Sequence, residues 1–366
     1  MNIYVAATRQ NDGKTVTALG LVLALQKRVS KVGYVKPVGQ HYLEVNGERI
    51  DKDAVLIQEA AGLDFALQDM SPVAVPRGFT EAYLDNPHRD DLIRRIRDCY
   101  SRASAGADIT VIEGTGHAGV GSVFDLSNAD VAKLLCAPVL IVSAGGIGRP
   151  IDEICLNKAV FDREGVPIAG VVVNKVEPSK YVKINRYVTM GLQRHGLKVW
   201  GVLPYNEVLS SPSIEQLVGD LSAEVLSGAA EMKTPVRHFV IGAMPPHAAL
   251  DYFLPGSLLI TPGNRDDLIM AALSQRAAEH EQSMAGIILT CGEHPHPSVM
   301  NLVRKSEIPI VVVQEDTFET ASRMHGLIVK IRSGDTEKIA ELERLTEQYL
   351  DVDGLLQWLG DHPGCP

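Results

Sequence analysis

Short apolar runs rich in Val and Ile punctuate the first half of the chain, at residues 3–7, 32–35, 109–112, 139–142, 168–173 and 199–203. Helix-length segments separate them. The runs are continuous and do not alternate, the pattern of parallel strands covered by helices on both faces. The predicted class is α/β, with a doubly wound, mostly parallel sheet. A stretch at 213–232 reads as mostly helical, and a second series of apolar runs follows at 239–242, 257–261, 286–289 and 308–313. The final segment, 335–359, reads as helix with Glu and Lys on a solvated face. These patterns predict two domains, 1–212 and 213–366, the second a smaller α/β unit that includes the C-terminal helix.

A chain of 366 residues, 45% hydrophobic and 22% charged, has material for two buried cores. Its net charge of -10, with no local basic patch, argues against nucleic acid or anionic membrane surfaces as partners. The apolar runs are strand-sized and too short to span a membrane, and the N-terminus is itself a strand without a targeting pattern, which points to the cytoplasm. Cys99, Cys136, Cys155, Cys291 and Cys365 are widely spaced, with no metal-ligand pattern, and are expected to be reduced thiols without metal.

The chemistry concentrates after the first strand. Ala7-Thr8-Arg9-Gln10-Asn11-Asp12-Gly13-Lys14-Thr15 leads from that strand into a helix. A loop at such a junction aims backbone N–H groups and the positive end of the helix dipole at an anion. Thr8, Asn11, Asp12, Gly13, Lys14, Thr15 and Val16 are the expected nucleotide-binding stretch. Gly13 permits close approach of the backbone, Lys14 reaches the terminal phosphates and Thr15 offers its hydroxyl to magnesium. Thr8 stands where the strict phosphate-loop pattern has glycine. Asp53 opens a predicted helix and Glu113 closes a strand at its carboxyl edge, so Thr15, Asp53 and Glu113 form a candidate set of hard oxygen ligands for Mg2+. Lys36, also at a carboxyl edge, is a second candidate cation for charge that develops during phosphoryl transfer.

In order and spacing, Ala7 to Thr15, Gly33-Tyr34-Val35-Lys36-Pro37-Val38, Asp53, Glu113-Gly114-Thr115-Gly116 and Val171-Val172-Val173-Asn174-Lys175-Val176 resemble dethiobiotin synthetase over about the first 205 residues. The resemblance implies ATP as ligand, Lys14 and Lys36 as phosphate-binding lysines, Asn174 as the reader of the purine edge, Pro204 in the base pocket, and a homodimer. Gly39-Gln40-His41 replaces the small hydroxyl residues that this family places near its substrate. The runs at 114–119 and 145–152 look more like the BioD-like front portion of long phosphate acetyltransferases. Thr261-Pro262-Gly263-Asn264-Arg265-Asp266-Asp267 is similar to the DRTGG signature, with only the Arg retained in place.

Two functions fit. One is a nucleotide-dependent regulatory or metabolic module related to the front part of phosphate acetyltransferase, with a partner protein. The other is an ATP-dependent ligase acting on a small carboxylate or carbamate metabolite. Arg9, five residues before Lys14, sits where a related class of dimeric ATPases has a lysine that reaches the partner's nucleotide, and is a candidate catalytic residue in trans.

Overall fold

A computed structural model describes residues 1–278, 284–327 and 329–362. Cys365 lies outside the described residues. The contacts divide the chain into two units, one made of Met1–Asn206 with the described part of 331–366, the other of Glu207–Lys330.

In the first unit, β1 (Asn2–Ala7), β2 (Val32–Val35), β3 (Ile109–Glu113), β4 (Val139–Ala144), β5 (Ile168–Val176) and β6 (Val199–Pro204) form a parallel sheet in the order β6-β5-β4-β1-β3-β2. Their side chains are buried almost throughout, which accounts for the unbroken apolar runs. Strand order reverses around β1, so the loops after β1, β3 and β4 meet in a crevice at the carboxyl edge, where open α/β sheets bind ligands. The helices that matter there are α1 (Lys14–Gln26), α2 (Lys52–Ala61) and α3 (Gly148–Arg163).

Helix α1 is apolar nearly all round, from Ala18 through Leu25, and so needs cover on both sides. The sheet supplies one side. The other is covered by α4 (Thr336–Tyr349), with α5 (Val352–Asp361) beside it. Gly20 marks the close approach, since a Cβ there would lie 2.3 Å from Thr346 Oγ1. Arg28 fastens the same face, donating to Glu347 at 2.8 and 3.0 Å and to Asp353 at 2.6 and 3.2 Å. The C-terminal segment expected with the second domain therefore belongs to the first. It is also two helices, interrupted where Leu350 bridges to Gly201 of β6.

The second unit is built on β7 (Glu224–Ser227), β8 (His238–Ile241), β9 (Ser257–Pro262), β10 (Gly286–Thr290) and β11 (Ile310–Val312), in the order β7-β11-β10-β9-β8. All pairs are parallel except β7 with β11. The stretch expected as mostly helix over 213–232 is α-helical at Ile214–Leu221, capped by Ser213, and returns to helix only as a single 3-10 turn at Ala229–Glu231. Ser222, at φ 52°, ends the α-helix in the left-handed conformation, and the next residues become the antiparallel edge strand β7. Among the described residues no helix is long and apolar enough to cross a membrane.

Candidate nucleotide site

The loop from Thr8 to Gly13 is held by its own side chains. Buried Asp12 accepts from the Thr8 hydroxyl at 2.6 Å and the Arg9 N–H at 2.9 Å, and Thr8 also reaches Ser143 on β4 at 3.1 Å. Burial raises the pKa of Asp12, partly offset by the Thr8 hydrogen bond. Exposed Asn11 and the helix-opening Gly13 adopt left-handed φ of 70° and 94°. A Cβ on Gly13 would lie 2.0 Å from Asn174 Nδ2, so only glycine fits without a shift. Val16 is half-buried in the first turn of α1.

Just beyond this loop, charged groups from four elements converge. Thr15 donates its hydroxyl to Glu113 Oε1 at 2.7 Å and to Asp53 Oδ2 at 3.2 Å. Lys36, only 4% exposed, pairs closely with Asp53 and lies 3.3 Å from Glu113 Oε1 and 3.4 Å from Asp51 Oδ1. Lys14 Nζ is 3.6 Å from that same Glu113 oxygen. Asp51 caps α2 by accepting from the Asp53 N–H at 2.9 Å, which fixes where Asp53 starts. Glu113 is fully buried at the end of β3.

Electrostatics follow from this crowding. Burial lowers the pKa of Lys14, with Glu113 pulling the other way. Burial also acts against the charge on Lys36, but Glu113, Asp53 and Asp51 overcome it and raise its pKa. Burial raises the pKa of Asp51, with Lys36 opposing. Tyr34, whose hydroxyl donates to Glu113 Oε2 at 2.8 Å, has its pKa pushed well up by burial and then by the Glu113 charge, so it remains a donor.

Thr15, Asp53, Glu113, Lys14 and Lys36, all read from sequence as site residues, thus lie together. Thr15, Asp53 and Glu113 present oxygen atoms within 3.2 Å of the Thr15 hydroxyl, a hard donor set of the kind a small divalent cation takes with waters and phosphates completing its shell. Among the described residues no group of three His, Cys, Asp or Glu side chains is arranged for a metal ion. Any cation here would rest on two carboxylates and a hydroxyl.

The other expected residues are placed differently. Asn174 is buried and donates to the Asp12 carbonyl at 3.1 Å, bracing the loop from β5. Its neighbour Lys175, not singled out from sequence, donates to the Asn11 carbonyl at 2.8 Å. Pro204 ends β6 opposite Val176, on the same carboxyl edge. Half-exposed Arg9 pairs with Glu153 on α3, which also accepts from Arg149 at 2.9 Å. Sequence reasoning missed the roles of Tyr34 and Asp51. An N-cap signal at Asp51 was readable, whereas nothing local marks the target of a tyrosine inside an apolar strand.

Residues 1–213 match the AAA domain family and residues 216–327 the DRTGG domain family. The chain belongs to the AAA domain family, of BioD-like P-loop type, with a DRTGG domain following. It is 29% identical to the phosphate acetyltransferase of Synechocystis sp. over 98% of this chain and 52% of that protein. Against the phosphate acetyltransferase of Nitratidesulfovibrio vulgaris it is 28% identical over 97% of this chain and 51% of the relative. The chain therefore spans about half the length of the curated relatives it matches. Among solved structures, the MinC:MinD cell division complex of Aquifex aeolicus is similar at 14% identity and a TM-score of 0.36, covering 57% of this chain and 83% of the other.

Proposed function

We propose that the first unit binds ATP with Mg2+. On this reading the phosphates lie over the backbone of residues 8–13 and against Lys14, with Lys36 beside the terminal phosphate. Thr15, Asp53 and Glu113 hold the cation, which would neutralise phosphate charge and orient the chain of phosphates. The observation that carries the reading is the convergence of Thr15, Lys14 and Lys36 on one oxygen of Glu113. Val16 lies along the nucleotide path, Asn174 and Pro204 face the base, and Asn174 also braces the loop.

Around that site we place a cytoplasmic, homodimeric regulatory or metabolic module related to phosphate acetyltransferase, which responds to nucleotide and acts on a partner protein. The kinship with those acetyltransferases along nearly the whole chain supports it. Among the described residues no disulfide joins Cys99, Cys136, Cys155 or Cys291, which suits a reducing compartment. The second reading, an ATP-dependent ligase acting on a small carboxylate, is favoured by one observation: a second buried lysine, Lys36, stands ready to stabilise charge on a transferring phosphoryl group. Turnover that requires an added carboxylate would select the ligase.

Calorimetric titration tests the binding itself. Lys14→Ala should weaken ATP affinity about 100-fold, the loss of a charge-assisted contact. Asp53→Asn and Glu113→Gln should weaken it in magnesium and not in chelator. Undiminished affinity in Lys14→Ala would remove the proposal.

A further inference from the structure

We propose that Tyr34 sets which cation the site accepts, by holding Glu113 to coordination through a single oxygen and so favouring magnesium over calcium. The inference rests on the reading that a metal-bound nucleotide occupies this site.

The two oxygens of Glu113 have separate duties. Oε2 accepts the Tyr34 hydroxyl at 2.8 Å on the core side, and the Tyr34 ring is completely buried between the sheet and its helices. Oε1 alone receives the groups of the site, Thr15 at 2.7 Å, Lys36 at 3.3 Å and Lys14 at 3.6 Å. Glu113 itself is 0% exposed, so no solvent stands by to replace a broken hydrogen bond. Tyr34 lies on β2 in register with Val111 of β3, two residues before Glu113, so both side chains start from paired, rigid strands.

Magnesium is small, keeps an octahedral shell and takes single carboxylate oxygens. Calcium takes six to eight oxygens and commonly uses both oxygens of one carboxylate. Turning both Glu113 oxygens onto one cation would take Oε2 from Tyr34 and leave a buried hydroxyl without a partner, which proteins avoid. The hydroxyl thus works as a rotational stop on the carboxylate. Lys36 does not supply this restraint, because it meets Oε1, the oxygen offered to the cation.

The test is nucleotide affinity of the full chain, measured by titration calorimetry with ATP in magnesium, in calcium and in chelator. In the natural protein, affinity in calcium should be at least about tenfold weaker than in magnesium. Tyr34→Phe keeps the ring and removes the stop, so the gap between the metals should narrow by about tenfold while affinity in chelator stays unchanged. Thermal unfolding in chelator establishes that the variant is folded. An unchanged ratio of metals in folded Tyr34→Phe overturns the proposal and leaves magnesium-nucleotide binding standing. Equal affinity in the two metals for the natural protein overturns it without recourse to the variant. Failure of the natural protein to bind nucleotide with either metal removes the underlying reading as well.

Discussion

Replacing Lys36 by Met removes one positive charge from among three carboxylates while nearly preserving side-chain length. Asp51 and Glu113 are at most 1% exposed and Asp53 is mostly covered, so solvent does little to compensate them. Lys14 remains as a counter-ion, 3.6 Å from Glu113 and also attracted by Asp53 and Asp51, but it cannot take the place of Lys36 among all three carboxylates. Breaking a buried ion pair from one side costs about 3–5 kcal/mol. For a unit of this size that corresponds to a fall in melting temperature on the order of 10 °C. Both tryptophans, Trp200 and Trp358, lie in the first unit, so their fluorescence follows its unfolding separately from the second unit.

The pH dependence has a definite sign. The raised pKa of Lys36 means that its contribution is complete below the unfolded value of about 10.4 and is lost only as pH rises through the still higher folded value. The natural protein should therefore show no change from Lys36 between neutral and acid pH. In the variant, Asp51, whose pKa is already raised by burial, loses the lysine that opposed that rise. It destabilises the fold above its folded pKa, and the deficit fades as pH falls toward the unfolded value of about 4. Melting in chelator should thus show a large deficit at neutral pH that shrinks on acidification, and magnesium should restore part of it. An unchanged melting temperature at neutral pH, or a deficit that grows in acid, would refute the reasoning.

A fragment of residues 207–330 should fold alone, with cooperative unfolding by circular dichroism, because its sheet has its own cores on both faces; a fragment without a thermal transition would contradict this. Arg9→Ala should leave ATP affinity nearly intact. If a partner's nucleotide lies against Arg9 in a homodimer, turnover should fall far more than affinity, and mixing with Lys14→Ala subunits should restore activity. A strictly monomeric protein would leave Arg9 only its Glu153 pairing.

The strands of the first sheet were legible because burial on both faces writes continuous Val and Ile runs, as at 139–142 and 168–173. Lys14 and Thr15 were legible because a phosphate loop is a local motif at a strand-to-helix junction. Asp53 and Glu113 were picked out by position, at a helix start and at the carboxyl end of a strand, and the resemblance strengthened that reading, since a lone carboxylate has no signature of its own. Tyr34 was not readable at all: its target lies 79 residues away across a strand pair. The edge strand 224–227 was hidden because Glu-Val-Leu-Ser suits either state, and only the left-handed Ser222 and pairing with β11 decide it. For 336–349, helical periodicity showed that one face is buried without naming the surface that buries it. A hint did exist on the other side, in the unbroken apolar circumference of α1.

The embrace of α1 by α4 also orders events in time. Between Arg28 and Glu347 lie more than three hundred residues, including the complete second unit. During synthesis at roughly 5–20 residues per second, α1 leaves the ribosome many seconds before the helix that covers it. Until then Leu, Val and Ala side chains beside the phosphate loop stand open to water, and a nascent first unit remains unfinished however well its sheet has formed. The inserted unit ends at residue 330 and carries its own cores on both faces of its sheet, so it is expected to fold before α4 is made. The segment made earliest is thus completed by one made much later.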